Sequence, residues 1–67
     1  MQYNILEIRT SKGISQSLLA EFVGVDKSLI SRVERGMQQP SVEVLHKIAV
    51  ALDVSIDNLI KGVKEND

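Results

Sequence analysis

Residues 16–35 read QSLLAEFVGVDKSLISRVER, and two short helices joined by a turn account for every one of them. Leu19, Ala20 and Val23 fall at helical spacing, as do Ile30 and Val33. Between them Gly24-Val25-Asp26 gives a turn of three residues that starts with a glycine and ends on a residue suited to capping the next helix. Each physical demand of a helix-turn-helix is met in place. Ala20 is small where the two helices must approach closely, and Gly24 tolerates the positive φ of the turn. Leu19, Val23, Val25, Ile30 and Val33 fill the angle between the helices.

With Ile30 and Val33 turned inward, the opposite face of the second helix (Lys27–Arg35) carries Lys27, Ser28, Ser31, Arg32 and Arg35. All five donate hydrogen bonds through their side chains. The DNA major groove admits one helix and offers guanine N7 and O6 as acceptors, which arginine and lysine match best. Serine is short enough to let the helix backbone come close. A solvated charged face is the ordinary alternative for one helix alone. Ser28 and Ser31 each stand evenly between base contact and spacing. Leu29, off the core stripe, suits packing against a loop better than contact with a thymine methyl.

Outside this unit the spacing is helical as well. A first helix over roughly Tyr3–Lys12 ends at Gly13, and Ser15 caps the helix Gln16–Val23. MQQPS (37–41) is a loop whose serine caps a fourth helix, Val42–Leu52, with an apolar stripe at 42, 45, 48, 49 and 52. Ser55 caps a fifth, through about Lys61, and the tail GVKEND frays. The expected fold is therefore all-α, a compact five-helix bundle forming one domain over 1–67.

At 67 residues, with no cysteine, the chain lacks a disulfide framework and depends on apolar burial, aided by oligomerisation. Tyr3 and Phe22 are the only aromatic residues, too few for stacking on single-stranded bases. A net charge of −1 argues against general polyanion binding. No signal segment or membrane span is evident, so a soluble cytoplasmic protein is expected. His46 stands alone, without cysteine or an acidic ligand set, and builds neither a metal site nor a catalytic triad. No enzyme activity, cofactor, metal or small-molecule ligand is expected. Val44, Ala51, Ile56, Ile60 and Val63 are left over once the inner stripes are assigned. They suit a homodimer seam with the last helix (about 55–62) in it, or else a core rotated slightly from this assignment.

The segment from Gln16 to Arg35 resembles the helix-turn-helix of the phage repressor/Cro class, the XRE-like regulators. The likeness runs on through ERG at 34–36, PS at 40–41, LxKIAxAL at 45–52 and VSxxxL at 54–59. It covers the chain from about Ile5 to Ile60 and implies the lambda-repressor-like fold. By this resemblance Gln16 grips a phosphate, Lys27, Ser28 and Arg32 read bases with Ser31 nearby, and Arg9 pairs with Glu34 as a structural brace. Ser17, Arg35 and Gln38 complete the expected phosphate contacts. The implied function is a bacterial or phage transcriptional regulator, a repressor type acting as a homodimer on double-stranded DNA with a palindromic operator. Phage repressors, restriction-modification controllers and antitoxins share the pattern. A protein-interaction module keeping the fold with little DNA binding is the rival, favoured by the acidic balance.

Overall fold

Local signals set most of the helix boundaries. In the computed structural model, which describes residues 2–61, five helices are found: α1 (Ile5–Ser11), α2 (Gln16–Val23), α3 (Lys27–Glu34), α4 (Val42–Leu52) and α5 (Ile56–Leu59). A two-residue antiparallel pairing joins β1 (Gln2–Tyr3) to β2 (Ile60–Lys61). Three serines close helix starts: the hydroxyl of Ser15 accepts from the Leu18 amide, that of Ser41 from Val44, and that of Ser55 from Asn58. Asp26 holds the N-cap position of α3 in an extended conformation, but its carboxylate accepts no cap hydrogen bond. Its role is thus that of a backbone corner, with its carbonyl accepting from the Leu29 amide at 3.0 Å.

The helix ends follow from left-handed residues. Gly24 has φ +83° and its amide donates to the Ala20 carbonyl at 2.8 Å, as does that of Val25 at 3.1 Å. The turn between α2 and α3 is closed on the last turn of α2. A Cβ placed on Gly24 meets nothing within 4 Å, so a substitution there is opposed by backbone strain and not by a clash. Gly24→Ala is expected to lower stability by about 1–2 kcal/mol. A urea midpoint unchanged from wild type would contradict the left-handed assignment.

Ile5, Leu19, Ile30, Ile48, Leu52 and Leu59 have no exposed surface, and Ala20, Val23, Val33 and Ala49 are buried with them. Every helix contributes to this one core, and α2 packs on both α3 and α4. Burying a branched aliphatic side chain contributes roughly 1.5–3 kcal/mol, and this group is the main source of stability in a chain without crosslinks.

Several boundaries and burials correct the expectations. The first helix begins at Ile5 and not Tyr3, because Tyr3 pairs with Ile60 and the Asn4 amide donates to the Leu59 carbonyl at 2.6 Å. The fifth stops at Leu59, short of Lys61, for the same pairing. Arg35 is the C-cap of α3 and not its last turn. Val42, placed on the inner stripe of α4, is 81% exposed; as the first residue after the Ser41 cap it lies at the end of the helix. Val44, Ala51 and Ile56 are half-buried and pack against the core, and Ile60 is half-buried in β2. Such partial burial fits a slightly rotated core and also leaves outer edges on which a seam could form. Val63 and the rest of the tail lie outside the described residues.

Candidate nucleic-acid interface

The outward face of α3 is defined by what its inward face buries. Ile30 and Val33 are sealed in the core and Leu29 is half-buried against it, consistent with packing. Lys27, Ser28 and Arg35 are exposed, whereas Ser31 and Arg32 are half-buried. Ser17 is exposed in the first turn of α2, and Gln38 is exposed in the loop after α3.

One carboxylate braces this unit. The Arg9 Nε donates to Glu34 Oε2 at 2.6 Å and its Nη2 to Oε1 at 3.2 Å, while Nη1 reaches the Ile14 carbonyl at 2.8 Å. The side chains of Arg9 and Glu34 are 9% and 3% exposed. Fork-to-fork contact of this kind joins charge neutralisation to fixed geometry. The pair ties α1 to the end of α3. It also cancels the acidic charge of Glu34, so the segment 26–35 presents Lys27, Arg32 and Arg35 against Asp26 alone.

Several side chains of the expected interface bond to other groups of the same chain. Gln16 Nε2 donates to Glu34 Oε1 at 2.8 Å, so its amide is a third arm of the brace in the chain without DNA. Arg32 Nε donates to Gln38 Oε1 at 2.7 Å, and Arg35 Nε to the Ser31 carbonyl at 3.4 Å. The Gln16 and Gln38 partners have no signature in the sequence. Tyr3 and Gln39 were also missed: the Tyr3 hydroxyl donates to Gln39 Oε1 at 2.9 Å and fastens the loop after α3 to the start of the chain.

Away from this face, Phe22 and Val50 are 59% and 66% exposed and line a shallow groove of about 430 Å³ with Val23, Lys47 and Ala51. Among the described residues no group of His, Asp or Glu is placed to hold a metal ion, and His46 is exposed. No helix of the described residues is long and apolar enough to cross a membrane.

The helix-turn-helix family model matches residues 5–59. The transcriptional regulator SinR of Bacillus subtilis is 42% identical over 64 residues, covering 94% of this chain and 58% of its own length. The chain thus spans little more than half of that relative. The crystal structure of the restriction-modification controller protein C.AhdI from Aeromonas hydrophila is similar, with a TM-score of 0.79, 40% identity, and coverage of 82% of this chain and 83% of that one. The c2 repressor of phage P22, solved in complex with a synthetic operator, superimposes with a TM-score of 0.82 at 37% identity, covering 90% of this chain and 91% of that one. These relatives are regulators and repressors, a class of binding proteins and not of enzymes. The all-α, repressor-like helix-turn-helix and the extent of the match place this chain in the XRE-type helix-turn-helix family of DNA-binding transcriptional regulators.

Proposed function

We propose that the chain binds double-stranded DNA in a sequence-specific manner as a homodimer, with α3 in the major groove of each half of a palindromic operator. The observation that carries this reading is the outward ridge of Lys27, Ser28, Ser31 and Arg32 on a helix whose other face is locked in the core. Lys27, Ser28 and Arg32 read base edges, with Ser31 close enough to take part. Ser17 and Arg35 flank them on the phosphate side, Gln38 lies against Arg32, and Gln16 joins the phosphate contacts if its amide leaves Glu34 on binding. A two-fold dimer sets its recognition helices about 34 Å apart, the spacing of successive major grooves. Val44, Ala51, Ile56, Ile60 and Val63 remain the proposed seam, with the half-buried members offering their outer edges. The operator complex of the P22 repressor supports the mode of binding, and a cytoplasmic location accords with it.

Binding-site selection from a random duplex pool tests this directly. Two inverted half-sites about one helical turn apart are expected; a lone half-site would argue for a monomer. The acidic balance and the loop MQQPS, which has no basic residue, point to few phosphate contacts. Log affinity against log salt is accordingly expected to fall with a slope of about −3 to −6 per dimer, at roughly −0.9 per neutralised phosphate. A slope near zero would instead favour a protein-interaction module, for which the exposed Phe22–Val50 groove is the supporting feature.

A further inference from the structure

The chain leaves α3 by a route that turns it back over the helix it has just finished. Gly36 has φ +76°, the Gly36 amide donates to the Val33 carbonyl at 3.1 Å, and the Met37 amide donates to the Arg32 carbonyl at 2.9 Å. This is a Schellman closure, and it places the next residue, Gln38, beside the last turn of α3. There Gln38 Oε1 accepts from Arg32 Nε at 2.7 Å. Arginine has no acceptor, so the atom of Gln38 facing it is the amide oxygen. The neighbouring Gln39 is held by the Tyr3 hydroxyl. The loop is fastened on both sides of Gln38.

We propose that Gln38 is a positioning residue that sets base specificity by orienting the Arg32 guanidinium, an inference resting on the base-reading role proposed for Arg32. With Nε engaged, the two terminal amino groups of Arg32 remain, and they form the pair of parallel donors that guanine N7 and O6 accept. An arginine without this restraint reaches phosphates as readily as base edges, and so binds without discriminating. An amide oxygen is well suited to the task. It fixes the guanidinium without cancelling its charge, whereas a carboxylate would set a negative group beside the DNA backbone. Gln38 therefore acts through Arg32, and not as the independent phosphate contact expected from sequence.

The two roles separate in a double-mutant cycle on the whole chain. The probe is a duplex recovered with the wild-type chain from a random-sequence pool, together with its single-base-pair variants, read by fluorescence anisotropy. Gln38→Ala is expected to lose about tenfold in discrimination at the base pair whose identity Arg32→Ala no longer senses. Its affinity for unrelated duplex should stay within about twofold, and its melting temperature should match wild type because Gln38 is exposed. Adding Gln38→Ala to Arg32→Ala should change nothing further. Gln38→Glu, which keeps the acceptor, should keep the discrimination while weakening binding to all duplexes. The proposal is overturned if Gln38→Ala weakens all duplexes alike in both backgrounds, the behaviour of a phosphate contact, or if it leaves discrimination intact. Should Arg32→Ala itself leave every base preference unchanged, the base-reading assignment fails first and the positioning role falls with it.

Discussion

Glu34→Ala is expected to leave much of the chain unfolded at 25 °C. The Glu34 side chain is 3% exposed and accepts from Arg9 and Gln16. Removing it strands a guanidinium that is 9% exposed, with the Ile14 carbonyl as its one remaining partner among the described residues. Breaking one side of a buried pair is destabilising by about 3–5 kcal/mol, chiefly because the remaining charge is uncompensated. Domains of this size are stable by roughly 0.05–0.15 kcal/mol per residue, so the loss approaches the whole. Thermal and urea unfolding by circular dichroism would measure it. A melting temperature within a few degrees of wild type would mean that the pair is more hydrated than its burial indicates. The double replacement Arg9→Met/Glu34→Leu should recover much of the loss, because it removes both charges together. It would also separate bracing from DNA contact, since stability would return without either ionic group.

Arg32→Ala should have the opposite profile, with folding retained and discrimination lost. Arg32 is half-buried, and its one side-chain hydrogen bond among the described residues goes to the exposed Gln38. Stability should therefore change by about 0.5 kcal/mol or less. A bidentate arginine–guanine contact is worth about 1–3 kcal/mol of discrimination against the wrong base, and a symmetric dimer makes it twice. Competition between the selected duplex and variants changed at one symmetric position should show that preference collapse. Affinity for non-specific duplex should fall far less. Equal losses on both kinds of duplex would place Arg32 on phosphate and would pass the reading role to Lys27 and Ser28.

These two variants divide the chemistry of one helix, and that division was open to sequence reasoning because it rests on helical spacing. Ile30 and Val33 face one way, Lys27, Ser28, Ser31 and Arg32 the other. The starts of α2, α4 and α5 were equally legible, since a serine cap and a following apolar run are local signals. What escaped was decided by residues far apart in the chain. Tyr3 looks like the start of a helix until Ile60 is placed beside it. A two-residue strand has no periodicity to find. Val42 fits the apolar stripe by spacing, yet its position after the Ser41 cap leaves it in solvent. Partners for Gln16 and Gln38 were hidden for a chemical reason: an amide donates and accepts with equal ease, so its type does not say what it will meet.

The pairing of Gln2–Tyr3 with Ile60–Lys61 means that neither end of the described chain stands alone. Contacts of such long separation in sequence carry a loop-closure cost that docking of the helices between them reduces. Loss of Ile60 and Lys61 would therefore act at a distance. It would release Tyr3 from β2, and with it the anchor of Tyr3 on Gln39, next to the residue that holds Arg32. Trimming the last strand would loosen the proposed base-reading face at the middle of the chain, with no change to any residue of α3.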